Sequence, residues 1–262
     1  MSGVKAIFLK EMSEQVRSPR MWSLFGLFAL ISGFYFAVEL MMQTAILALE
    51  LSFLSSLLFV LIPLLTMKSY AGEREKRTDV LLLTAPVRTR SIVLGKFLSG
   101  CLQLVGMASL TLVHLLLILL LGGTIDKITW AAYLAFLLTG FVYLAIGQFI
   151  SARMSSQTVA ALTATVIFLL LNLLKTTADS IGLFLGRLIG WLDVFDWLPA
   201  GTPSAVGAHV TALIHELNPA AKLAPITEGI LSLPDLVYLL SLIAFFLFLT
   251  ETALERRHWA RK

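Results

Sequence analysis

The chain has 262 residues, 58% of them apolar and only 14% charged, and its mean hydropathy is +0.89. A soluble domain of this size has too little core to hide so much apolar material, so lipid must be the solvent for much of it, in one membrane domain of several helices. The formal net charge of +4 does not argue for nucleic acid, because charges on a membrane protein first report topology.

At the N-terminus, Val4, Ile7, Phe8, Met12 and Val16 recur at helical spacing, with Lys5, Lys10, Glu11, Glu14 and Arg17 between them. This predicts an amphipathic helix within residues 1–20, lying on the inner leaflet and broken by Ser18-Pro19. A polar start followed by an apolar run too long for an h-region predicts no cleavable signal peptide. A span needs about 20 apolar residues. The sequence offers six, at 21–42, 51–67, 97–121, 130–150, 157–174 and 236–252, the second and sixth being short. Pro63 should kink the second, and Pro234-Asp235 suits the start of the sixth.

Six spans put both termini on one side. Of the 20 Lys and Arg residues, all but Lys127, Lys175, Arg187 and Lys222 then fall on the side of the termini, which the positive-inside rule makes the cytoplasm. The segment 68–90 shares that side and is read as a cytoplasmic loop. After Glu73-Arg-Glu-Lys-Arg77, Thr78 can cap a short helix with Val80, Leu81 and Leu83 on its apolar side, ended by Pro86. The outer segment, 176–233, holds an apolar stretch over 179–198 with a ladder of Gly182, Gly186 and Gly190. That ladder is either a helix-contact face or a loosening of an interfacial helix. A second short helix over 204–217 is stopped by Asn218-Pro219.

Catalytic signals are sparse. His209, His215 and Glu216 lack a zinc-binding spacing, and the lone Cys101 lies in an apolar run as a packing residue. Gln103, His114, Gln148 and Asn172 are the polar residues of the spans, candidates for a path or for interhelical hydrogen bonds. Glu39 lies near the outer end of the first span, within reach of water, and Glu50 at the edge of the second. No span carries a charge near its centre, which argues against an ion-coupled transporter or an intramembrane hydrolase. Gly95-Lys96 is followed by Phe97 and preceded at the required position by Arg90, so no P-loop is formed and the chain has no ATP site of its own. A membrane domain without an energy source is passive or borrows energy from a partner.

Three blocks of sequence resemble the six-span permease of type-2 ABC exporters, in particular the gliding-motility-associated group. They are 9–20, leading into the first span; 73–78 through 82–87 and 92–97; and 227–231 through 235–238 and on to 254–257. The chain departs from the pattern at Arg77, where the family often has glycine before the threonine. The resemblance implies an all-α polytopic membrane protein of the bacterial inner membrane, with both termini cytoplasmic. It would have six transmembrane helices, an N-terminal connecting helix, and short extracytoplasmic helices between spans five and six. It implies a non-catalytic subunit of an exporter whose ATP and Mg are held by two copies of an ABC ATPase. A second permease chain is implied, the same or different, the different one carrying a large extracytoplasmic domain. Glu73, Arg74, Glu75, Lys76, Arg77 and Thr78 would form the ATPase-docking surface, with Leu81 and Leu82 as apolar anchors and Lys10, Glu11 and Arg17 on the flank. Membrane lipid is the other expected partner. Two readings stay open beside it: a mechanotransmitter or scaffold that moves no solute, and an ATPase-independent small-solute transporter or channel.

Overall fold

The computed structural model describes residues 3–78, 87–192, 199, 201–222 and 232–259. No strand occurs among the described residues, and six helices are long and apolar enough to cross a membrane. This is the form that lipid imposes, because a helix satisfies every backbone N–H and C=O within its own segment. The chain is thus an all-α polytopic membrane protein.

Helix α1, Gly3–Val16, precedes the first span, α2, Pro19–Met41. The second span begins as α3, Leu47–Thr66, and does not stop there. It continues through a π-helical turn, Lys68–Gly72, and one more α-turn, Glu73–Glu75, giving a single rod over Leu47–Glu75. The third span is α4, Thr89–Leu110, and α5, Leu112–Leu120. They meet at Thr111, whose hydroxyl shares a 2.7 Å hydrogen bond with that of Tyr133. The remaining helices are α6, Lys127–Arg153; α7, Gln157–Leu192; α8, Thr202–Leu217; α9, Pro219–Lys222; and α10, Leu233–Trp259.

Helix α6 is the hub, packed by α3, α4, α7 and α10. Its apolar window is 78% buried, whereas those of α7 and α10 are only 17% buried and so face outward. Helix α1 lies along the start of α4, burying Ile7 and Glu11. The close approach is made at Gly95, where a Cβ would stand 2.8 Å from that of Ile7.

Several sequence boundaries need correction. Residues 68–75 are helix, not loop, and the third span starts at Thr89, so Lys96 lies two turns inside it. Charges that sequence takes as a span's edge can continue a helix when they pair with one another. The larger change concerns the fifth span. Residues 157–174 and the stretch beyond them form one helix of 36 residues, about 54 Å long at 1.5 Å per residue. Helix α8 folds back along it. Gly182 and Gly186 face Gly207, where an added Cβ would lie 2.5 Å from the Gly182 carbonyl oxygen, so this part of the ladder is a contact face. Gly190 is exposed. The Asn218 amide donates to the Leu171 carbonyl at 2.7 Å. Leu171 lies about 21 Å along α7 from Gln157, short of the roughly 30 Å of a hydrocarbon core. The segment after the fifth span therefore re-enters the bundle.

Candidate functional site: the charged end of the second span

Glu73, Arg74 and Glu75 are consecutive on one helical turn, so their side chains leave it about 100° apart. Each meets a different part of the protein. Glu73 accepts a hydrogen bond from the Lys96 ammonium of α4 at 2.7 Å. Lys96 donates a second, also 2.7 Å, to Glu11 of α1. The side chain of Lys96 is 2% exposed, and those of Glu11 and Glu73 are 10% and 17% exposed. Lys10 stands 3.9 Å from both carboxylates and 3.4 Å from Glu14. The Tyr70 ring lies 5.4 Å from the Lys96 nitrogen, within cation–π range. The two buried carboxylates thus meet two cations, as burial of charge requires, while Glu14 stays exposed at the rim.

Arg74 turns the other way. Its guanidinium donates to the carbonyls of Ala152, at 2.8 Å, and Met154, at the end of α6. A cation is favoured there, where helix carbonyls lack partners. Glu75 accepts the backbone N–H of Gln157 at 3.0 Å, placing a carboxylate at the positive start of α7. The Gln157 side-chain oxygen accepts from Arg20 at 3.3 Å, which ties in the first span. A fourth fastening lies within the π turn. The Ser151 hydroxyl of α6 accepts the N–H groups of Tyr70 and Ala71, at 3.2 and 3.1 Å. A side-chain oxygen inserted into the helical ladder is a recognised cause of such a turn.

The helix then ends in a Schellman motif. The Thr78 N–H donates to the Glu73 carbonyl at 2.8 Å and the Arg77 N–H to that of Arg74 at 2.9 Å, with Arg77 left-handed at φ 59°. Glycine is the usual residue at that position because it has no Cβ. The glycine that the resemblance leads one to expect where Arg77 stands therefore has a backbone reason. Thr78 closes this helix, and the helix it is expected to cap lies outside the described residues.

Of the proposed docking residues, Glu73, Arg74 and Glu11 are turned inward, and Lys10 is at the edge of their cluster. Glu75, Lys76, Arg77, Thr78 and Arg17 are exposed. Leu81 and Leu82, with the helix expected around them, lie outside the described residues. A cavity of about 750 Å³ opens beside the cluster, lined in part by α1, the start of α2 and the end of the second span.

The polar residues of the spans separate. Gln103 is buried at the cavity wall, and Gln148 is buried in α6 with a side-chain oxygen that has no partner among the described residues. Asn172 is half-buried on α7. His114 sits in a polar cluster that sequence reasoning missed. Glu50 of α3 is fully buried and accepts hydrogen bonds from Ser32 of α2 at 2.6 Å and from His114 Nδ1 at 2.9 Å. The Phe36 ring stacks on the imidazole with centroids 4.3 Å apart. Glu39 is buried too, not at the water, and its carboxylate oxygens have no hydrogen-bond partner among the described residues. A glutamate on one span and a histidine on another were the available signal, but their pairing depends on helix rotation that sequence does not give. Beyond the fifth span, His215 lies 3.7 Å from Asp179, while His209 and Glu216 are exposed. No group of three metal-binding side chains gathers among the described residues.

A family model described as "ABC-2 family transporter protein" matches residues 5–254, from the first helix to the last. No curated protein matches the chain.

Proposed function

We propose that this chain, a member of the ABC-2 family of transporter proteins, is the membrane permease subunit of an ATP-driven exporter and takes its drive from the ATPase through the end of the second span. Membership makes the chain a membrane transport component and implies an ABC ATPase as its partner. The rest is our reading. The termini and Glu73–Glu75 face the cytoplasm. Two ATPase copies serve two permease chains of the gliding-motility-like kind, the second being the same or different. ATP and Mg belong to the partner.

The observation that carries this reading is the continuity of the Leu47–Glu75 rod with its fastenings. A push at Lys76–Thr78 meets no hinge loop. It reaches α3 along the helix, α1 and α4 through Lys96, and the α6–α7 junction through Arg74 and Glu75. Four residues of the expected docking surface thus receive a different role: Glu11, Glu73, Arg74 and Glu75 transmit, while Arg77 and Thr78 meet the partner.

The test joins capture with disulfide mapping. The tagged chain should co-purify with a nucleotide-binding subunit, and Arg77→Cys in a Cys101→Ser background should cross-link to a cysteine on it. Arg77→Glu should lose most ATPase stimulation while the permease still folds. Charge reversal at Glu73 is a poor test, because it would set a second cation against buried Lys96. A chain that purifies alone and carries solute without nucleotide would refute the proposal.

A further inference from the structure

On one wall of the cavity beside the charged cluster, Lys96 and Lys10 already meet Glu11, Glu73 and Glu14, three carboxylates to two cations. Three more cations line it: Arg20 in the first turn of α2, Lys68 where α3 becomes the π turn, and Lys76 at the helix end. None of the three has a carboxylate within ion-pair distance among the described residues. Arg20 and Lys76 are the like charges acting on Lys68, so the three repel one another. One guanidinium nitrogen of Arg20 holds Gln157; the other is buried with no partner among the described residues. Gln15, also on the lining, has a buried side-chain oxygen in the same condition. Buried polar groups are nearly always satisfied, so each such atom calls for an explanation.

Cations at the ends of spans commonly snorkel outward to headgroups. These border an open cavity, and toward the interior of the spans its lining includes Leu24, Leu64 and Leu65 of the first two spans beside the polar Gln103. Positive charge at the membrane boundary with an apolar wall beneath it matches an amphiphile, anionic at one end and hydrocarbon at the other. A guanidinium with two ammonium groups suits phosphate oxygens. The Gln15 oxygen suits a hydroxyl donor beside the phosphate.

We propose that this cavity binds an anionic glycerophospholipid with a hydroxylated headgroup. Its phosphodiester lies on Arg20, Lys68 and Lys76, and an acyl chain lies along Leu24, Leu64 and Leu65. The lipid is a resident ligand at the base of the coupling rod, and the proposal does not depend on what the complex exports.

The test uses the full chain in nanodiscs of equal parts phosphatidylglycerol and phosphatidylcholine. Lipids that stay bound on release are counted by native mass spectrometry. Neither ATPase nor nucleotide enters the assay, so its outcome is independent of the coupling proposal. Wild type should retain phosphatidylglycerol in preference. Lys68→Gln and Lys76→Gln should each lower that preference by about fivefold, the usual effect of one basic residue at an anionic surface. Neither side chain holds an ion pair among the described residues, so both variants should melt like wild type. Arg88→Gln, an exposed cation outside the cavity lining, should leave the preference unchanged. Equal retention of the two lipids would overturn the proposal, as would an undiminished preference in the double variant or an equal loss in Arg88→Gln. Displacement of the lipid by millimolar glycerol 3-phosphate or inorganic phosphate would also overturn it, by making the site one for soluble phosphate.

Discussion

Lys96→Met is the most direct test of the charged cluster. The substitution keeps most of the aliphatic stem and removes one charge from a side chain only 2% exposed, with its nitrogen 2.7 Å from two carboxylates. Removing one partner of a buried ion pair commonly costs about 3–5 kcal/mol, because the remaining charge is left uncompensated. Here the remainder is two carboxylates against Lys10 at 3.9 Å. Glu11 and Glu73 are 10% and 17% exposed and border the cavity, so they recover some solvation and the lower end applies. The expected loss is about 3 kcal/mol, a fall on the order of 10 °C in Tm for a domain of this size. Glu73→Gln should cost less, about 1.5–2 kcal/mol, because Lys96 keeps Glu11 and an amide can still accept. Combining Lys96→Met with Glu11→Gln and Glu73→Gln should recover at least half of the single-variant loss, since no buried charge is then unpaired. The assay is thermal melting of the purified chain in one detergent at fixed pH and salt. A Lys96→Met protein melting within about 2 °C of wild type, or a triple variant no more stable than the single, would refute the argument.

Four further outcomes are expected. Arg77→Gly should raise stability by about 0.5–1 kcal/mol, because it removes the Cβ from a left-handed position that closes a helix; an unchanged or lower melting temperature would count against the Schellman assignment. Ser151→Ala should cost about 1–3 kcal/mol by leaving the Tyr70 and Ala71 N–H groups without their acceptor; Ser151→Thr, which keeps the oxygen, should lose less in the same melt. Gly182→Leu should lift α8 from α7, since even a Cβ there would lie 2.6 Å from the Gly207 carbonyl, and a cysteine at Asn218 should then label faster with a water-soluble maleimide. Glu50→Ala should cost about 2 kcal/mol by orphaning the Ser32 hydroxyl and His114 Nδ1, and the added variants Ser32→Ala and His114→Phe should restore much of that loss.

The number of spans was legible because lipid imposes a single strong constraint on each segment. Their ends were not. Lys96 ends an apolar window in the sequence, yet it is buried inside the helix because its partner Glu11 comes from 85 residues away. No local window contains both. Lys175 likewise closes the fifth apolar run, while α7 continues to Leu192 because the glycines beyond that lysine give α8 a surface to pack on. The segment 73–78 was legible as a charge run but not as a set of contacts. Glu73, Arg74 and Glu75 look alike in a charge run, and only the turn of the helix decides that they address α4, the end of α6 and the start of α7. The Arg77 position shows the reverse case. The resemblance leads one to expect a glycine there, and the backbone dihedral supplies the reason.

The fastenings also say where the molecule can give. Charged contacts in a dry site tolerate little stretching, and an unpaired buried charge is expensive, so α1, the end of the second span and the start of α4 must move as one body. Arg74, Glu75 and Ser151 extend that body to the α6–α7 junction. Compliance must then lie where contacts are apolar and few, on the outward faces of α7 and α10, whose windows are 17% buried. Apolar surfaces slide over lipid or over a second chain with little change in free energy, because neither side offers directional bonds. Under the proposed coupling, a bundle built this way would take a push at one charged corner and release it as displacement of its outer helices, as a subunit driven from outside its own chain requires.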